Sequence, residues 1–160
     1  MARFQHEIKW ALLFTGMMLI WMTLEKMAGL HGEHIDKHPI YTNLVAIPAI
    51  VLYVFALREK KRNLGGRITY KQAFVSGFFV SLFIALLAPL SQYFTIHYIT
   101  PDFFPNAQKY AVENGLMTEE RAANYFNLKS YMVQSAVGAL IMGVVTTAIA
   151  ALFVRSKKTS

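Results

Sequence analysis

Apolar side chains crowd into four stretches of this chain, residues 10–30, 40–57, 73–96 and 131–154. Each is close to the roughly 20 residues that a helix rising 1.5 Å per residue needs to cross about 30 Å of hydrocarbon. The second and third stretches hold one proline each, Pro48 and Pro89. Membrane helices tolerate proline because neighbouring groups re-satisfy the freed carbonyl, so kinks are expected there, not breaks. The pattern predicts an all-α integral membrane protein, a four-transmembrane-helix bundle forming one membrane domain over residues 1–160. The first stretch is expected to stay in the mature protein rather than act as a signal peptide. Its apolar core is long, Glu7 sits in the would-be basic region, and no small-residue cleavage site follows.

Between the third and fourth stretches, residues 98–130 form the one sizeable polar segment. Pro105 is placed to start a short helix through Ala107, Tyr110 and Val112, with Gly115 as a left-handed cap. Thr118 can cap a second helix whose first turn carries Glu119 and Glu120, favourable against the helix dipole. Phe103, Phe104, Tyr110, Tyr125, Phe126 and Tyr131 flank these helices, as aromatics of an interfacial belt would. A short helical outer hairpin lying on the membrane surface is expected. Residues 58–71 read as a tight connection, with Gly65-Gly66 permitting positive φ and Thr69 as the N-cap of the third span. Gly65-Gly66-Arg67 lacks the spacing of a phosphate-cradling loop.

Composition agrees with the bilayer: of 160 residues 55% are hydrophobic and only 16% charged, where about 25% charged is usual for soluble domains. Mean hydropathy is +0.36. The net charge of +7 would by itself also suit a nucleic-acid binder, but its distribution argues for orientation instead. The two tails and the middle connection carry 11 Lys and Arg against Glu7 and Glu59, a balance of +9. The other two connections carry Lys26, Lys37, Lys109, Arg121 and Lys129 against seven acids, a balance of −2. Cytoplasmic loops hold the basic excess, so both termini are expected in the cytoplasm, with the cluster at residues 58–62 anchored to anionic headgroups. No nucleic-acid partner is expected. With 0 cysteines, disulfides, thiolate metal sites and thiol nucleophiles are excluded.

Small residues recur every fourth position in the last two spans: Ala73, Gly77, Ser81 and Ala85, then Ser135, Ala139, Gly143, Thr147 and Ala151. Such stripes let helix backbones approach closely. Packing inside the bundle is the main expectation, centred on Gly77, Ser81, Ala85, Ala139, Gly143 and Thr147, and a homodimer seam is the alternative.

The densest chemistry is LEKMAGLHGEHIDKHPIY at residues 24–41, which holds Glu25, His31, Glu33, His34, Asp36 and His38. Were the first helix to continue unbroken, His31, His34 and His38 would share one face within about 60°, a spacing compatible with zinc ligation. Glu25, Glu33 and Asp36 would lie opposite. Against this, Gly29, Gly32 and Pro39 favour a turn. A solvated loop at the membrane interface is the plainer reading. A metal or proton site would draw on His31, His34, His38, Glu25, His97 and Asp102, the last two from the end of the third span. Glu25 stands inside an apolar helix, where ionisable residues are costly and often functional. Its partner is expected from another helix or from the headgroups, since Lys26 cannot share its face.

The segment YVFALREKKRNLGGRITYKQAFVSG at residues 53–77, YITPDFF at 98–104 and a last span ending in VRSKK resemble the domain-of-unknown-function family 4199 over nearly the whole chain. The resemblance implies a small four-span protein of the bacterial inner membrane and lends no catalytic residue. No HExxH, GxSxG or intramembrane Asp pair is present. The expectation is therefore a non-enzymatic accessory or scaffold without a cofactor, packing against a membrane partner or itself. The alternative is a small transporter or a metal- or proton-handling protein using Glu25, His31, His34 and His38.

Overall fold

Where the helices stop decides which side chains meet, and glycine stops three of them. The computed structural model describes residues 4–156, so Arg3, Lys157 and Lys158 of the basic tails lie outside the described residues. The helices are α1 (Gln5–Met27), α2 (His38–Tyr41), α3 (Ala46–Asn63), α4 (Tyr70–Phe94), α5 (Phe103–Glu113), α6 (Glu119–Tyr125) and α7 (Leu128–Val154). A 3₁₀ turn, Thr42–Val45, joins α2 to α3, and a π turn, Thr95–Ile99, extends α4. Four helical stretches, Gln5–Met27, His38–Asn63, Tyr70–Ile99 and Leu128–Val154, are long and apolar enough to cross a membrane.

After α1, α3 and α5 the chain passes through a glycine with positive φ: Gly29 at 76°, Gly65 at 78° and Gly115 at 66°. In each case the glycine N–H and the next N–H turn back to the last carbonyls of the helix, as in Gly29 to Lys26 (2.9 Å) and Leu30 to Glu25 (3.0 Å). This paired closure needs a left-handed residue, which costs glycine least. It ends the first helix at Met27, three residues short of the expected limit. Three helices start at side-chain caps: Thr69 and Gln72 form a reciprocal capping box on α4, Thr118 accepts from Arg121 N, and Asn127 accepts from Ser130 N. The Asn127 cap starts α7 three residues earlier than the apolar pattern indicated.

The prolines behave differently from one another. Pro48 cannot donate to the Leu44 carbonyl four residues back, and the chain tightens into the 3₁₀ turn Thr42–Val45 at that point, before the regular helix. Pro89 lies within α4, which continues past it to Phe94. Pro105 falls in the first turn of α5, two residues inside the start at Phe103.

Helix α4 is the centre of the bundle, in contact with α7, α1 and α3, with its longest contact along α7. That seam is made by the small residues. A side chain added at Gly77 would collide with Thr147, and one added at Gly143 would collide with the Tyr53 hydroxyl and with Ser81. Ser81 and Thr147 are fully buried, and Ala85 and Ala73 are buried with them. Ala139 is partly buried against the cluster of Ala11, Tyr53, Val80 and Ile84. The stripe is thus occupied within the chain at Gly77, Ser81, Gly143 and Thr147, as expected for packing inside the bundle. Ser81 donates to the Gly77 carbonyl (2.8 Å) and lies 2.8 Å from the Tyr53 hydroxyl. A serine has one proton to give, so Tyr53 is the donor in the second bond.

Both described chain ends lie at one end of the bundle, beside the α3–α4 connection, where Ser156 N donates to the Ile68 carbonyl at 2.8 Å. At the opposite end α5 and α6 contact each other. Phe103 and Ala107 of α5 are buried with Ile96, and Ile35, Phe104 and Tyr131 pack around them. Phe103, expected in an interfacial belt, is a core residue instead.

Candidate functional site

Helix α1 turns a single stripe inward: Glu7, Ala11 and Glu25 are its buried residues, with Phe14 packed between them. Glu7 and Glu25 are 18 residues apart, five turns at about 3.6 residues per turn, and so share one face. A carboxylate therefore sits at each end of the inner stripe.

Glu25 is 2% exposed. Trp21, one turn earlier on the same face, donates its indole N–H to Glu25 Oε1. The glycine closure at residues 29–30 reverses the chain over the helix end and brings His31 down beside Glu25. His31 Nε2 lies 3.1 Å from Glu25 Oε2, and the residue is 4% exposed. His38, at the start of α2 with Pro39 behind it, places Nε2 at 3.4 Å from the same oxygen, with its side chain 21% exposed. The Thr42 side chain is also directed at this carboxylate. One donor atom each from Glu25, His31 and His38 lies within 4.8 Å of the others.

The surroundings hold these groups in place. Phe103 packs edge-on to His31 and tilted against His38, with ring centres at 5.2 and 5.3 Å. The Asn106 amide donates to the His31 carbonyl at 2.9 Å, tying the loop to α5. His31 Nδ1 is buried with no partner among the described residues. Chemically this is a buried carboxylate accepting from an indole and facing two imidazoles, able to hold a proton or a cation between them.

Of the six candidate residues, the structure brings together Glu25, His31 and His38 and leaves out the other three. His34 turns back over Gly29, because the helix does not continue and the helical face that would have grouped it with the other two never forms. His97 is exposed on the π turn, its ring stacked on Tyr93 at 4.0 Å and its Nδ1 3.0 Å from the Tyr93 carbonyl. Asp102 is exposed at the start of α5, and its side chain makes no cap. Glu33 and Asp36 are exposed as well. The partners of Glu25, expected from another helix or the headgroups, come from three places: Trp21 on its own helix, His31 in the turn that follows, and His38 on α2.

A second polar centre escaped the sequence pattern. Glu7, 3% exposed, receives hydrogen bonds from Lys60 (2.8 Å) and Ser76 (2.7 Å), joining α1 to α3 and α4. Alongside, Glu59 accepts from Lys9 and from the Trp10 indole. Lys61 donates to the Val154 carbonyl at the end of α7. The basic cluster at residues 58–62 therefore ties helix ends together as well as carrying charge. The signal was available in the 18-residue spacing of Glu7 and Glu25.

Four apolar helices with polar joints at both ends define a multi-pass helical membrane protein. The chain belongs to the family described as protein of unknown function, DUF4199, which it matches over residues 9–156. No curated protein and no solved structure matches it.

Proposed function

We propose that the protein is a non-enzymatic accessory or scaffold of the bacterial inner membrane that acts by packing against a membrane partner or a second copy. The observation behind this is how the polar groups are used. The bonds of Glu7 to Lys60 and Ser76, of Tyr53 to Ser81, and of Glu25 to Trp21 and His31 all join parts of this chain. What faces outward is apolar: Leu12, Leu13, Ile20 and Leu24 of α1 are 48–64% exposed. That surface suits lipid tails and a partner helix alike. Both termini and residues 64–69 face the cytoplasm and its anionic headgroups, and α5 and α6 form a hairpin on the outer face, by the charge asymmetry of +9 against −2.

The absence of cysteine makes the test clean. Leu13→Cys and Ile20→Cys, seven residues apart on one face, should each give a discrete cross-linked species in native membranes. Failure of both, together with an isolated monomer at every concentration in mild detergent, overturns the packing role. For orientation, a cysteine at Gly115 should react with an impermeant maleimide from outside, and one at Gly65 only after the membrane is opened. Labelling of Gly65→Cys in intact cells would reverse the topology.

A second reading, a small transporter or a metal- or proton-handling protein, is favoured by the convergence of Glu25, His31 and His38.

A further inference from the structure

We propose that Glu25, His31 and His38 bind one divalent transition-metal ion of the zinc class, with a coordination position left open. This rests on the metal-handling reading above and specifies its ligand. Two imidazoles and a carboxylate are borderline donors of the kind that suits zinc and its neighbours. Calcium and magnesium need six or more oxygens, and a single carboxylate stands here.

The spacing fits. An ion with tetrahedral bonds of about 2.0–2.1 Å holds its donors roughly 3.3 Å apart. Glu25 Oε2 lies 3.1 Å from His31 Nε2 and 3.4 Å from His38 Nε2. Supporting groups are also in place: the Trp21 indole fixes the other carboxylate oxygen, Phe103 packs against both rings, and Asn106 holds the backbone that carries His31. Such outer partners orient ligands and strengthen metal binding. Glu25 and His31 are buried, while His38 is partly exposed, so the ion enters past His38. Three protein donors leave the fourth position for water or for an exchanging ligand. Metal and protons compete for the same Nε2 atoms.

The test uses the full chain with a histidine-free tag, stripped of metal and titrated with Zn²⁺ and with Co²⁺, whose visible absorption reports coordination geometry. The wild type should take one ion per chain and give a four-coordinate cobalt spectrum. His31→Ala and His38→Ala should each weaken binding at least about ten-fold, and Trp21→Phe by about ten-fold through the loss of an outer partner. His34→Ala and His97→Ala should leave it unchanged. Circular dichroism and monodisperse elution establish that each variant folds, and partly exposed His38 carries the test should Glu25→Gln not fold. Absence of stoichiometric binding in folded wild type overturns the inference, as does equal weakening by His34→Ala. With binding absent, a proton flux in vesicles that Glu25→Gln abolishes would leave the proton form of the reading standing, and no such flux would sink both.

Discussion

Replacing Gly143 by alanine is the sharpest probe of how α4 and α7 are joined. The new methyl would sit 2.5 Å from Ser81 Oγ and 2.7 Å from Ser81 Cβ, and would also collide with the Tyr53 hydroxyl. A Cβ is fixed to its backbone, so Ser81 cannot rotate it away and the two helices must move apart. Overpacking of this kind costs about 1–3 kcal/mol. The buried Tyr53–Ser81 hydrogen bond lies in the same contact, and its loss adds about 1 kcal/mol. The expected destabilisation is about 2–4 kcal/mol. Gly138, on the same helix, has nothing within 4 Å of an added Cβ. Gly138→Ala should therefore be neutral or stabilise by up to about 1 kcal/mol, the intrinsic helix preference of alanine over glycine. Equilibrium unfolding in mixed micelles on titration with SDS reads both variants against wild type. Equal midpoints for the two alanine variants would refute the close-approach account of this seam.

Three further outcomes follow from particular contacts. Gly77→Ala places its methyl on the Thr147 side chain; it should destabilise by about 1–3 kcal/mol, and Thr147→Ala in the same chain should restore part of that loss in the same unfolding assay. Lys60→Met leaves the carboxylate of Glu7 buried beside only Ser76. It should cost about 3 kcal/mol, and the double variant with Glu7→Gln should melt higher than Lys60→Met alone, because an unpaired buried charge costs more than an absent pair. Asn127→Ala removes the side chain that caps α7 at Ser130 N and should lower stability by about 1 kcal/mol, read as a lower melting temperature in detergent.

Much of the architecture was legible before the fold was known, because it depends on local chemistry. Four apolar runs near bilayer length specify four helices whatever packs against them. Gly115, Thr118, Gly65-Gly66 and Thr69 mark turns and caps because positive φ and N-cap geometry are properties of single residues. The small-residue stripes on α4 and α7 announced close approach in the same way. The errors are equally local in origin: apolar count placed the end of the first helix at residue 30, whereas backbone geometry at Gly29 ends it at Met27.

The polar centres were not legible in full, and the reason is directional. Composition assembled Glu25, His31, His34, His38, His97 and Asp102 as candidates, but which of them meet depends on the path of the chain after a left-handed glycine. That path brings His31 and His38 onto Glu25 and turns His34 away. His97 is lost to the group because a π turn ends its helix and leaves the ring on Tyr93. Glu7, Lys60 and Ser76 come from three helices whose relative rotation is set by packing along α4, so no local pattern pairs them. Residue types and helix lengths are written in the chain one position at a time, while the pairing of side chains across 50 or more positions exists once the helices are side by side.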